Sequence, residues 1–257
     1  MSYDKLSLKG KVAVAVGGTS GIGLACALGF AHAGARAVVA ASRRLSEVDR
    51  AADEFESLGV ASLRQTVDVT SKESLCRLRD ATVQKFGAVD ILLNAAGRTQ
   101  KMPSLDVEEK DWDAILDCNL KGTFLSCQTF GAQMISQGKG KIINIASLGS
   151  FVSLNEAVPY CVSKSGVVML TKCLSSEWSP QGVNVNAIAP GYFLTPLSAP
   201  MLAIPERKAR VLAHTPMNRI GNVEELQGAA IFLASEAADF VSGVILPVDG
   251  GFLGYGV

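Results

Sequence analysis

Tyr160 and Lys164 stand four residues apart in a stretch of helical pattern running from about Tyr160 to Trp178, so their side chains share one helix face. Pro159, directly before them, suits a helix start. A phenol beside an ammonium is an acid–base pair. Free tyrosine titrates near about 10, and a neighbouring positive charge favours the phenolate. Such a pair can hand a proton to an oxygen that turns negative as its carbon accepts a hydride, provided another group steadies that oxygen. Tyr-x-x-x-Lys arises by chance in many chains, and its weight here comes from its company. Ser147 lies thirteen residues earlier, just past the apolar run Lys141–Ala146, and can hydrogen-bond the same oxygen. Read by itself, within Ile145-Ala146-Ser147-Leu148-Gly149, it is better explained as a strand-end hydroxyl satisfying backbone. Asn119 falls within a further helical stretch, Glu109–Gln137.

A second group of residues suits a phosphorylated ligand. Gly17-Gly18-Thr19-Ser20-Gly21-Ile22-Gly23 follows the apolar run Lys11–Val16 and leads into a helical pattern. Gly17 permits a tight turn, Gly21 lets backbone approach a phosphate, and Gly23 allows close packing of helix on sheet. The helix start then points free N–H groups at the anion. A generic glycine-rich turn is the bland reading. No Gly-Lys-Ser/Thr is present, which excludes a nucleotide-hydrolase phosphate loop. The next apolar run ends in Ala40-Ala41-Ser42-Arg43-Arg44, without the acid that marks an NAD site. Guanidinium groups bind a 2′-phosphate that a carboxylate would repel, so Ser42, Arg43 and Arg44 point to NADP(H). The bland reading is a solvated arginine pair. Asp68, followed by Val69, can accept from an adenine amino group.

The elements that must position these residues alternate. Apolar runs at Lys11–Val16, Ala37–Ala41, Ala61–Val69, Val89–Leu93, Lys141–Ala146, Val183–Ile188 and Val244–Val248 read as seven strands. Helical patterns between them include Ile22–Ala33, Ser46–Leu58 with Ser46 and Asp49 as its capping pair, a helix to Phe86 opened by Thr70 and Glu73, and Val223–Ser235. The fold class is α/β, a doubly wound seven-stranded parallel sheet with helices on both faces. Ligands in such a sheet bind beyond the carboxyl ends of the strands, where both groups of residues would converge.

Composition narrows the functions. The 257 residues fit one α/β domain, 1–257, without linker or repeat. Lys+Arg and Asp+Glu are 24 each, and this neutrality argues against nucleic acid. Two histidines, His32 and His214, make a metal cluster or Ser–His–Asp triad a poor expectation, and both read as structural. Six scattered cysteines without a C-x-x-C pair read as reduced thiols. Met1–Lys11 has no signal-peptide pattern, and no apolar run reaches the ~18 residues of a membrane span. The expectation is a soluble, cytoplasmic protein without a membrane partner.

Taken together, these motifs resemble the short-chain dehydrogenases/reductases over essentially the whole chain. Gly17–Gly23 is similar to that family's cofactor loop, with Val16 where a Thr is common. Asn94-Ala95-Ala96-Gly97 resembles its N-N-A-G element, with Ala95 in place of the second Asn. Asn119, Ser147, Tyr160 and Lys164 match its catalytic tetrad in order and spacing. Pro190-Gly191 with Thr195, His214-Thr215-Pro216 through Gly221, and Val248–Gly251 resemble later signatures. The resemblance implies a Rossmann fold and NADP(H) contacts at Gly17, Thr19, Ser20, Gly21, Ile22, Gly23, Ser42, Arg43, Arg44, Asp68 and Val69. It extends them to Asn94, Ala96, Gly97, Pro190, Gly191 and Thr195. It implies a substrate lid around 192–215, and pocket-wall candidates are Gly149, Asn155, Glu156 and Tyr192.

It also implies interconversion of a ketone and a secondary alcohol, with Tyr160 as acid/base, Lys164 lowering its pKa and Ser147 holding the substrate oxygen. The resemblance points more closely at family members acting on gluconate and sugars or on 3-oxoacyl carriers than at those acting on steroids. Asn155 and Glu156 favour a hydroxylated substrate, a sugar acid or polyol. The alternatives are a 3-oxoacyl-thioester reductase or a non-catalytic NADP(H)-binding scaffold or sensor. A homotetramer or homodimer is implied, through the Glu109–Gln137 and Tyr160–Trp178 helices and the apolar tail Gly251–Val257.

Overall fold

In the computed structural model, residues 4–255 are described, so Gly256 and Val257 of the apolar tail lie outside them. Six strands form one parallel sheet: β1 (Val12–Val16), β2 (Ala37–Ala41), β3 (Ile91–Asn94), β4 (Gly140–Ile145), β5 (Val183–Pro190) and β6 (Ile245–Val248). Their spatial order is β2-β1-β3-β4-β5-β6. Nine α-helices are described: α1 (Gly21–His32), α2 (Leu45–Ser57), α3 (Lys72–Phe86), α4 (Glu109–Leu116), α5 (Gly122–Gln137), α6 (Val158–Trp178), α7 (Ala199–Leu202), α8 (Pro205–Ala213) and α9 (Gln227–Ala234). The central strands read as unbroken apolar runs because helices cover both faces. All five residues of β1 and of β2 are buried. One face packs Ala13, Ala15, Phe30, Ile91 and Leu233, and the other packs Val14, Leu92, Phe130, Met134 and Ile142.

The structure corrects four expectations. Six strands are described rather than seven, because Ala61–Val69 does not join the ladder. It makes one parallel bridge, Ala37 with Ala61, and touches the strand end where Val67 N donates to Ser42 O at 2.9 Å. Between those points the Ser62 hydroxyl donates to Val38 O at 2.7 Å, so a side chain occupies an acceptor that a ladder would use. Next, α2 begins at Leu45 behind Arg44, which leaves Ser46 and Asp49 inside the helix. The cap of α3 is Ser71, whose hydroxyl accepts from Ser74 N, while Thr70 bonds Asp68 instead. Finally, the helix expected over Glu109–Gln137 is interrupted by a π turn at Asp117–Lys121, and this turn carries Asn119.

Candidate active site

The carboxyl ends of β1, β3, β4 and β5 all open on one edge, and the residues singled out above gather there. At β1 the turn into α1 depends on glycine. Gly17 has φ +81, and a Cβ there would overlap the main chain of Ala95–Ala96, while a Cβ on Gly23 would overlap the Gly17 carbonyl. Backbone at the strand end and at the helix start is therefore in direct contact. Ser20 precedes α1 and makes no side-chain cap to the first N–H groups of this 12-residue helix. Arg50 on α2, which sequence reasoning missed, holds the loop by donating to Thr19 O at 2.8 Å and pairing with Glu47 at 2.9 Å. Thr195 packs over Gly21, as a Cβ there would meet the Thr195 Cβ at 3.5 Å.

At β2 no acid follows the strand. Arg43 and Arg44 are exposed, and Arg44 makes only a long 3.8 Å pair with Glu47. Asp68 accepts from the Thr70 hydroxyl and N–H at 2.7 and 2.9 Å. These bonds and the nearby Arg43 hold its carboxyl below the usual range. The Asn94 side chain turns into the core, donating to Asn144 Oδ1 at 2.9 Å and Cys127 Sγ at 3.3 Å, and is only 4% exposed. Gly97 faces the site differently. A Cβ there would lie 3.5 Å from Asn119 Oδ1 and 3.6 Å from Lys164 Nζ, so the missing side chain keeps that space open.

Asn119 is fully buried and locked. Its amide donates to Arg98 O at 2.9 Å and to Ser163 Oγ at 3.0 Å, and its oxygen accepts from Arg98 N at 2.8 Å. Ser163, one residue before Lys164, thus ties the π turn to α6. Lys164 is 5% exposed, its Nζ donates to Ile145 O at 2.8 Å, and burial pushes its pKa down to about 8. The ammonium lies 6.0 Å from the centroid of the Tyr160 ring. Burial pushes the Tyr160 phenol above its ordinary value, against the Ser147 hydroxyl, which favours the phenolate. Ser147, at the end of β4, also accepts from Gly149 N at 3.1 Å. Chemically, this is a protonated phenol beside a serine hydroxyl, with a lysine ammonium behind it.

The segment 192–215 carries α7 and α8. Tyr192 is half-buried against Phe252, with ring centroids 5.9 Å apart, and His214 lies 6.1 Å from the same ring. His214 Nδ1 also lies 2.9 Å from Arg210 O, at the end of α8. Asn155 is exposed and contributes its carbonyl oxygen, which accepts from Lys101 Nζ at 2.6 Å. Lys101 and Arg207, both near Glu156, carried no sequence signal, because three remote segments supply the cluster. Among the described residues no helix is long and apolar enough to cross a membrane, and no group of metal-ligating side chains gathers.

A family model described as enoyl-(acyl carrier protein) reductase matches residues 16–253. The chain is 39% identical over 254 residues to 2-dehydro-3-deoxy-D-gluconate 5-dehydrogenase of Escherichia coli, covering 98% of this chain and 99% of that one. It is 38% identical over 248 residues to gluconate 5-dehydrogenase of Gluconobacter oxydans, covering 96% of each. Among solved structures, the gluconate 5-dehydrogenase of Burkholderia cenocepacia, in complex with NADP and tartrate, superposes with a TM-score of 0.95 at 38% identity over 98% of this chain and 99% of that one. With the glycine loop, the Asn119 turn and the Tyr160–Lys164 helix at one sheet edge, these likenesses show that the chain belongs to the short-chain dehydrogenase/reductase family.

Proposed function

We propose that the protein is an NADP(H)-dependent oxidoreductase that interconverts a ketone and a secondary alcohol on a sugar acid or related polyol. The observation that carries this reading is the convergence of Ser147, Tyr160, Lys164 and Asn119 beside an uncapped helix start at the glycine loop. The residues present fit the dinucleotide. The N–H groups at the start of α1 suit the pyrophosphate, and Arg43 and Arg44 suit the 2′-phosphate at the end of β2, where the run Ala40–Arg44 holds no acid. Gly97 leaves room beside Lys164. Asp68 and Val69 stand where the adenine would lie, while Pro190, Gly191 and Thr195 close the opposite side. NADP(H), when bound, supplies or accepts the hydride.

This chain's residues handle the proton. A phenol raised by burial is protonated at neutral pH, which is the form that donates to a carbonyl oxygen during reduction. Ser147 Oγ hydrogen-bonds the same oxygen as charge develops on it. The Lys164 ammonium, held by Ile145 O, sits behind the ring and favours the phenolate left after donation. Asn119 acts as a strut, fixing the π turn to Ser163 and Arg98. Segment 192–215 serves as the lid over the pocket.

The relatives and the tartrate-bound neighbour support an acidic hydroxylated substrate. A 3-oxoacyl thioester is the second reading, favoured by a hollow of about 330 Å³ beside the lid, where Leu194, Leu202 and Ile220 line it together with Lys208 and Asn222. The exposed Phe124, Val162 and Met169 on α5 and α6 support association into a homotetramer or homodimer. A panel of 5-keto-gluconate, neutral ketoses and acetoacetyl thioesters, followed by NADPH absorbance, tests the reading. Turnover highest on the keto acid is expected. Turnover of the thioester alone moves the assignment to the second reading, and none at all refutes both.

A further inference from the structure

Three segments remote in sequence are stitched together beside the site. Lys101, in the loop after β3, donates to Asn155 O at 2.6 Å, and Met102 N donates to Glu156 O at 2.9 Å. Arg207, on α8, donates to Glu156 Oε2 at 3.0 Å. Glu156 has φ 59, a left-handed conformation uncommon outside glycine. A residue persists there when its surroundings over-determine it. Bonds to its own carbonyl, its carboxylate and the carbonyl before it do so here.

The charges at this junction do not balance. Lys101 and Arg207 are two cations against the single Glu156 carboxylate. Lys101 and Arg207 hold consecutive residues, one the Asn155 carbonyl and the other the Glu156 carboxylate, and burial first and Arg207 second hold Lys101 below its usual range against Cys161 and Glu156. Among the described residues Glu156 is the only hydrogen-bond partner of Arg207, which leaves most of its five N–H donors open. The junction also borders the reacting groups. Glu156 stands two residues before α6, whose first turn carries Tyr160.

We propose that Lys101 and Arg207 form the subsite for the carboxylate of an acidic hydroxy or keto substrate, one cation reaching from the body of the domain and the other from the lid. The inference rests on the oxidoreductase reading and names how its substrate class is chosen. A guanidinium fork matches a carboxylate, and the lysine adds a second charge-assisted bond from the opposite side. An acid bound between them bridges α8 to the loop after β3, so the same contact that selects the substrate draws the lid down. Glu156 keeps Arg207 aimed at this point before substrate arrives. A neutral polyol offers hydroxyl acceptors but no charge to either cation.

Calorimetric titration of D-gluconate and of neutral D-sorbitol into the protein saturated with NADPH, a dead-end pairing of alcohol with reduced cofactor in which no hydride passes, tests this, using the wild type, Lys101→Met, Arg207→Met and Lys101→Arg. Loss of one charge-assisted bond should raise the gluconate Kd about tenfold to a hundredfold in each Met variant. Sorbitol should weaken by much less, and Lys101→Arg should keep most of the preference for the acid. Equal weakening of both ligands, an unchanged gluconate Kd, or a wild type with no preference for the acid overturns the proposal. Binding is read without turnover. A protein that prefers gluconate through these residues yet reduces no ketone would therefore refute the oxidoreductase reading and leave the carboxylate subsite standing.

Discussion

Lys164 holds a charge where the protein penalises charge. It is 5% exposed, with one carbonyl partner at 2.8 Å, and its pKa falls from 10.5 to about 8. At about 1.36 kcal/mol per pH unit, that fall costs the protonated folded state about 3 kcal/mol. The sign follows from the proton count. Between pH 8 and 10.5 the unfolded chain retains a proton that the folded chain has released, so this group makes stability rise with pH across that window. Below about 8 the full cost is present. Lys164→Met keeps an unbranched side chain and cannot titrate. The difference in unfolding free energy, wild type minus variant, should climb by about 2 kcal/mol between about pH 7 and about pH 9.5. Urea unfolding followed by Trp112 and Trp178 fluorescence measures it, without cofactor, with reductant and at fixed protein concentration. Parallel curves across that range, or a difference that shrinks as pH rises, would refute the burial argument for Lys164.

Tyr160→Phe removes the proton donor but no packing volume. It should lower kcat by about 10²–10⁴-fold while NADPH affinity, read by fluorescence titration, stays within about twofold. Arg43→Ala should reduce kcat/KM for NADPH by about tenfold to a hundredfold, with a much smaller loss for NADH in the same steady-state assay. Asn119→Ala strands the N–H and carbonyl of Arg98 and cuts the bond to Ser163, and should lower the unfolding free energy in urea by about 2–3 kcal/mol.

What could be read from the chain follows from what chemistry and backbone demand of residue type. Tyr160 and Lys164 were legible because helical spacing alone sets two side chains on one face. Gly17 and Gly23 were legible because contact between strand end and helix start excludes a Cβ. Ala61–Val69 misled because Val67 and Val69 are buried like strand residues, at 3% and 8%, while the Ser62 hydroxyl competes for the ladder. The π turn at Asp117–Lys121 leaves no mark, since a single five-residue turn is too short to show a period of its own. Asn94 matched a motif, yet its side chain serves the core through Asn144. Lys101, Glu156 and Arg207 became a group only through the fold, since spacing says nothing about segments joined by long crossovers.

The incomplete seventh strand also decides how the sheet can meet other chains. An edge strand is a template for unwanted pairing unless something blunts it. Along β2 the segment from Ala61 to Val67 lies against the open side as a strap, bonded at both ends and plugged by Ser62, so no foreign strand can dock there. The opposite edge, β6, is only partly buried and carries Pro247, which lacks the N–H that a continuing ladder needs. The two margins are thus guarded by different means, one by a fitted cover and the other by a missing donor, and the protein resists growing by strand addition in either direction.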